Sequence, residues 1–329
     1  MRHFLLVPIA LLAGSLCASG SIDSGLLGLV PAGAKAIGGF DVTNSRNSEF
    51  GQYLLTKSQA DDPHLQKLME ATGFDPRRDL QSLLFESGDP RPGGHQHSFA
   101  ILARGTFDER RIEAHAQAEG GVAQSFQGVR MIVTQSHGEE TALAFLDTGV
   151  AAYADVATLQ QIILNRATPS TLDPALQSKI DLIGSKNDIW FAALMGGDFL
   201  ANHFNHGPRG NDAGAGQLPE QAKVLQSVVQ SSGGVRLGPT IEITFHAVTR
   251  SAQDATSLVD VVRFLASMVQ MQRQSDPRAD LVAPSLDGMT IRTDGNQVHF
   301  AMSMPEKNLE QLAELGPKAN GRRARPNIR

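Results

Sequence analysis

The sequence predicts an α+β fold: two similar β-α-β-β-α-β-β modules, mainly antiparallel sheets, with helices packed on one face. Three observations carry this prediction. Two stretches about 150 residues apart share one order of elements, as expected of a duplicated supersecondary unit. Strands Ile241–Val248 and 297–304 alternate apolar with polar residues, the period of a sheet with one buried face. Asp294-Gly295 between two strand-like runs has the composition of a type I′ hairpin turn.

The elements follow in chain order. Residues 35–42 read as a strand, 49–58 and 64–72 as helices, and 83–87 as a second strand. Ser98–Arg104 is a strand. Thr106-Phe107-Asp108-Glu109 has capping-box spacing, in which a hydroxyl satisfies an orphan helix N–H, ahead of a helix to about Glu119. Residues 128–133 and 141–146 are two further strands. Phe99, Ile101 and Leu102 are all apolar, as are Met131, Ile132 and Val133, so both faces are expected to be covered there.

In the second half, 188–194 reads as a strand, 219–230 as a helix and 235–237 as a strand. Ile241–Val248 follows, and Ser251-Ala252-Gln253-Asp254 caps a helix to about Gln274. That helix carries Ala255, Leu258, Val262, Leu265 and Val269 at three- and four-residue spacing, opposite Asp260, Arg263, Ser267, Gln270 and Gln274. Its apolar stripe is expected to lie against Ile241, Ile243, Phe245, Phe300 and Met302. Residues 288–292 and 297–303 close the module as an antiparallel pair.

Around these modules lie an address and a tail. Arg2 and His3 precede an apolar run from Phe4 to Leu16, and small residues follow to Ser21, the three-part pattern of a secretory signal over residues 1–20. The run is shorter than the ~20 apolar residues of a membrane-spanning helix. The first module is expected over 27–184 and the second over 186–316. A basic tail, 317–329, holds Lys318, Arg322, Arg323, Arg325 and Arg329 and no acid, a disordered composition. The Gly-rich stretch from His206 to Gln217 reads as a surface loop.

Composition excludes several chemistries. The one cysteine, Cys17, lies within the signal, so the mature chain would have no disulfide, zinc–thiolate site or cysteine nucleophile. A net charge of −5 is unlike a general nucleic-acid binder. At 41% hydrophobic and 19% charged residues, the composition is that of an ordinary globular protein. Gly-x-Ser-x-Gly, Ser-x-x-Lys, His-Glu-x-x-His and phosphate-loop patterns are all absent.

The remaining candidates are mostly histidines. His203 and His206, with Asp198 and Asp212 nearby, have the types of a transition-metal site, and so do His95 and His97. Both pairs sit beside glycine-rich stretches, where solvated loop histidines are the competing reading. His246 and His299 fall on the polar faces of their strands with Glu242, Thr244 and Arg292, a face able to receive a ligand or simply water. Asp61-Asp62, Asp75 and Asp79 look like paired acids by composition, although Asp75-Pro76 and Asp79 fit a turn and helix start better. Met268, Met271, Met289, Met302 and Met304 are expected in the core rather than as thioether ligands. No catalytic, cofactor-binding or metal residue is thereby assigned, and no cofactor is expected.

The phrases Leu29-Val30-Pro31-Ala32-Gly33-Ala34-Lys35-Ala36, Gly73-Phe74-Asp75-Pro76-Arg77-Arg78-Asp79-Leu80, Ala103-Arg104-Gly105-Thr106-Phe107-Asp108 and Gln127-Gly128-Val129 resemble those of uncharacterised secreted bacterial proteins with a Leu-Pro-Ala-initiated repeated domain of unknown function. Val30 is inserted where those proteins run straight on. The resemblance implies an exported α+β protein and brings no catalytic residues.

The function expected from the sequence is a non-catalytic binding or interaction protein of the envelope or extracellular space. Its partner would be an unidentified protein or ligand there, with no nucleic acid and no membrane insertion after signal cleavage. The alternative is a hydrolase or metal-dependent enzyme with its site between the two modules, where clefts tend to form.

Overall fold

The computed structural model describes residues 22–61, 63–90, 97–136, 139–194 and 220–315. The signal pattern, the 206–217 loop and the basic tail lie outside the described residues. So do His95, His203, His206, Asp198, Asp212 and Asp62.

Twelve strands form one sheet in the order β11-β12-β10-β9-β8-β1-β2-β3-β7-β6-β5-β4. They are β1 Ala34–Asp41, β2 Leu80–Pro90, β3 His97–Gly105, β4 Val122–Phe126, β5 Val129–Ser136 and β6 Glu139–Asp147. Then come β7 Val150–Asp155, β8 Ile189–Ala193, β9 Val228–Arg236, β10 Thr240–Thr249, β11 Thr290–Asp294 and β12 Gln297–Pro305. Every ladder is antiparallel, as the alternating patterns require. The expected modules meet at β1 and β8, which pair from Ala36↔Ala193 to Phe40↔Ile189, so they share one sheet. Element order is alike in outline only. The first half has two more strands after its second helix and ends on two helices, α7 Val156–Asn165 and α8 Pro174–Ile183, where one helix over 306–315 follows the last strand of the second.

Helices cover both faces, not one. Following the register, Ile37, Glu86, Ala100, Ala192, Ser232, His246 and His299 share a face. On the first-half part of that face, α1 Ser24–Leu27, α7 and α8 bury Leu26, Leu159, Ile162, Leu176 and Ile180 against Ile37, Leu102, Met131 and Ala154. The second-half part carries the polar residues. On the reverse face, α3 Glu49–Asp61, α4 Pro63–Thr72, α5 Pro76–Asp79 and α6 Glu109–Ala118 lie over the first half, where Leu55 packs with Phe40, Leu83 and Ala103. Helix α9, Ala252–Met271, lies over the second half, with Leu258 and Val259 against Ala247 and Val298. Helices α10 Pro277–Asp287 and α11 Glu306–Leu315 continue that layer, and α2, Val42–Ser45, closes the end of β1. Both faces of β5 are buried as expected, Met131 by the α7–α8 side and Ile132 on the side of α6.

Local chemistry accounts for the starts and turns. Asp108, not Thr106, caps α6 by accepting from the Arg111 N–H at 3.1 Å. Ser251 caps α9 as expected, accepting from Asp254 N–H at 3.1 Å. Asp75 caps α5 with Pro76 at its first position, and Asp79 reaches back to Asp75 N–H at 2.8 Å, so these acids build a turn. The β11–β12 loop is Gly295-Asn296, one residue later than expected, because Asp294 pairs with Gln297. Only Gly295, at φ 56°, takes a left-handed φ, the type II′ pattern. Residues 220–227 form a 3-10 helix, but Val228–Gln230 belong to β9, not to a helix as expected.

The stripe of α9 departs most from its periodicity. Ala255, Leu258 and Val259 are buried, whereas Leu265 and Phe264 are each 51% exposed and Met271 is 76% exposed. A 20-residue helix is about 30 Å long. Only its early turns lie over β10 and β12, so the later apolar residues run past their support. Met268 and Met271 are therefore surface residues, contrary to the expectation of a core role, while Met304 is buried.

Candidate functional site

An open groove of about 270 Å³ runs over the seam between the two halves, on the face opposite the α7–α8 layer. Its floor comes from β1, β2, β8 and β9. Ala36, Gly38, Ala193 and Ser231 are small, and Phe85 and Phe191 wall the depression. All six share one face by register: Gly38 lies opposite both Phe85 and Phe191, and Ala193 opposite both Ala36 and Ser231. Small residues over adjacent strands lower the floor, while the flanking phenyl rings raise the sides. The Phe191 ring also meets Phe245 at 6.1 Å between centroids, extending the aromatic surface toward β10. Phe85 is 44% exposed, a large aromatic surface left open on a sheet.

One polar atom stands out in this apolar setting. Ser231 is fully buried, yet its Oγ has no hydrogen-bond partner among the described residues. A buried hydroxyl without a partner costs on the order of 1–3 kcal/mol, so such groups mark strain, water or a ligand. Glu86 also borders the groove, but its parity directs the side chain to the other face.

The second locus lies on the polar half of the opposite face. His246 and His299 are directly opposite in register, with Nδ1 atoms 2.6 Å apart and ring centroids 4.8 Å apart at 79°. One ring must supply an Nδ1–H and the other a lone pair, so this contact needs at least one neutral ring and is best made by two. Burial holds the His246 imidazole below its ordinary value, and the positive charges of His299, Lys179 and Lys186 act in the same direction. Burial also lowers the ammonium of Lys179, on α8. Glu242 and Arg236 on the same face pair with each other.

A third depression, about 380 Å³ and polar, lies between α1 and the end of β1, lined by Asp23, Asp41, Asn44, Ser82 and Arg104 among others. Its charges are internally matched. Asp23 caps α1, accepts from Ser82 at 3.0 Å and pairs with Arg104. Burial pushes the Asp23 carboxyl up, but hydrogen bonds from Arg104, Leu26 and Ser82 outweigh it and hold the group below the usual carboxylate range.

The structure thus brings together His246, His299 and Arg292 from among the sequence candidates. Asp75 and Asp79 are spent on a cap, and the described residues contain no cluster of three or more His, Cys, Asp or Glu able to hold a metal. Sequence reading missed the groove. Its signal was the small-residue runs Gly38-Gly39 and Ser231-Ser232-Gly233-Gly234, obscured by extending a helix to residue 230. It also passed over Lys179 and Lys186, which lie in a stretch without strand-like alternation.

No described helix is long and apolar enough to cross a membrane. No family model matches the chain, and no curated protein does. Among solved structures, crystal form III of TP0453 has a TM-score of 0.51 at 10% identity, over 90% of this chain and 99% of that one. Crystal form IV of TP0453 gives 0.48 at 12% identity, over 92% and 99%. At such identity the form III likeness is one of fold alone: this chain is similar to TP0453 in the course of its backbone.

Proposed function

We propose that the protein is an exported, non-catalytic binding protein whose groove over the β1–β8 seam takes an aliphatic chain carrying one hydrogen-bonding head group. Export rests on the signal pattern of residues 1–20, and the resemblance to secreted proteins of unknown function agrees with it. The observation that carries the binding reading is Ser231: a fully buried hydroxyl with no partner among the described residues, in a groove whose face is otherwise made by Ala36, Gly38, Phe85, Phe191, Ala193 and one further hydroxyl, Ser87. Apolar walls with very few placed polar groups are the usual make-up of a site for a largely apolar ligand. At about 270 Å³ the groove suits a single chain rather than a bulky ring system. The side chains directed into it include no carboxylate, imidazole or ammonium, which favours binding over hydrolysis at the seam.

A dansyl-labelled medium-chain fatty acid, titrated into the purified full chain, tests this. The expected result is saturable fluorescence enhancement, abolished in Ala36→Phe, which fills the floor. Ser231→Ala should weaken binding by about tenfold, the loss of one hydrogen bond. Absence of saturable binding, or equal binding by a folded Ala36→Phe protein, would overturn the reading.

A further inference from the structure

The sheet carries a second, chemically opposite site on its other face. Ser232, His246, His299 and Arg292 lie side by side on four consecutive strands, β9, β10, β12 and β11, at mutually opposite register positions. Directly opposed residues on neighbouring strands sit about 5 Å apart, so the four form one continuous polar strip. Helix α8 and the short 3-10 turn after it border this strip and add Lys179 and Lys186, whose charges both act on His246.

The charge balance of this strip is incomplete. The charged groups acting on His246 are all cationic: His299 from β12, Lys179 from α8 and Lys186 from the 3-10 turn. Arg292 on β11 adds another cation beside His299. Along the face, Glu242 is neutralised by Arg236, Asp294 lies two residues from Arg292 at the hairpin end of β11, and Asp188, buried two residues beyond Lys186, accepts from the Leu237 N–H at 2.6 Å. Lys179 is half-buried, burial lowers its ammonium, and among the described residues no carboxylate offsets this. A partly desolvated cation without a counter-charge is unfavourable unless something supplies the charge.

We propose that this strip is a binding site for a phosphate-type oxyanion. Its donors are the Lys179 and Lys186 ammonium groups, the Arg292 guanidinium and the imidazoles. In the neutral pair the acceptor ring keeps its proton on Nε2, so one imidazole N–H is available. Acidification protonates His246, whose neutral form is favoured by burial, and the added positive charge is one that an oxyanion stabilises. Affinity therefore rises as pH falls. The oxyanion can be free phosphate, a soluble phosphoester or the phosphodiester of a lipid head group, since all present the same oxygens to these donors.

Inorganic phosphate titrated into the full chain, against chloride at matched ionic strength, tests the proposal by calorimetry and thermal shift. Saturable binding is expected at about pH 5, weakening by about fivefold toward pH 8 as His246 gives up its charge. The Lys186→Ala/Arg292→Ala double variant alters only exposed side chains and should lose about tenfold in affinity. Lys179→Gln should lose at least as much if it folds. A second arm uses vesicles of phosphatidylglycerol or of phosphatidylcholine. Sedimentation with phosphatidylglycerol that is competed by inorganic phosphate supports the site and assigns the head group as its source. Phosphate binding without vesicle binding supports the site and assigns a soluble phosphate. If phosphate stabilises no more than chloride at either pH, or the double variant binds as the wild type does, the site is not an oxyanion site.

Discussion

The Glu306 carboxylate, at the start of α11, accepts a 2.6 Å hydrogen bond from the backbone N–H of Phe50 at the start of α3. The two residues are 256 positions apart, and both are buried. A helix N-terminus presents N–H groups with no intrahelical partner, and α3 uses a carboxylate from the far end of the chain to satisfy one of them. The second half of the protein thereby caps a helix of the first. Glu306→Ala should cost about 1–3 kcal/mol by leaving that N–H buried and unpaired. Glu306→Gln, which keeps an acceptor, should cost less. Urea unfolding of the two variants checks the order; equal losses would show that the contact acts through packing alone.

The depth of α9 can be measured along its own stripe. Leu258 is 4% exposed and Leu265 is 51% exposed, although both belong to the same apolar face. Leu258→Ala should cost about 2–5 kcal/mol, the range for a core leucine. Leu265→Ala should cost no more than about 0.5 kcal/mol, as for a surface site. Denaturant midpoints at constant m-value separate the two, and equal effects would mean that α9 is docked along its whole length.

Gly39 and Trp190 form a close pair across β1 and β8. A Cβ at position 39 would come within 2.4–2.5 Å of three atoms of the indole, so the glycine is required by approach and not by turn geometry. Gly39→Ala should destabilise the protein by about 1–3 kcal/mol through overpacking. Trp190 is the chain's one tryptophan, so its fluorescence reports both the local shift and global unfolding. An unchanged emission spectrum and midpoint would contradict this packing.

Acid affects two places in different windows. The His246 imidazole is held below its ordinary value of 6.5, so the unfolded chain takes up protons first as pH falls through that value. Stability should therefore decline from about pH 6.5 downward, and His246→Gln should flatten this limb. The Asp23 carboxyl is held below its ordinary 3.8, so its contribution is complete above that value and is lost as pH falls through the lower, folded value. Asp23→Asn retains a capping oxygen but removes the charge. Its deficit of about 1 kcal/mol at neutral pH should vanish in strong acid. Thermal melts across pH resolve the two limbs, and a wild-type profile flat below pH 6.5 would rule out the histidine contribution.

Much of the fold was legible because local patterns and tertiary burial agree. The alternation of Ile241, Ile243, Phe245 and Ala247 states which face of β10 is covered, and Ser251 states where α9 begins. Asp75-Pro76 declares a helix start in four residues. The capping of α6 was misplaced by two residues because Thr106 and Asp108 both have suitable side chains, and only backbone geometry chooses between them. Strand β4, exposed along nearly all its length, and β7 were missed because neither alternates: Val150, Ala151, Ala152 and Ala154 are all buried.

The sequence by itself determined the antiparallel α+β character, the position of His246 and His299 on one polar face, and the periodicity of α9. Tertiary structure alone decided that both modules share one sheet, that helices lie on both of its faces, and that α9 outruns its support after its early turns. The physical reason is range. Alternation and capping are set within a few residues, where sterics and one hydrogen bond suffice. The groove at the β1–β8 seam and the cations gathered around His246 depend on which strands become neighbours. The pairing of residues 36–40 with 189–193 and the approach of Lys179 to His246 arise only when distant surfaces pack, and no local spacing records them.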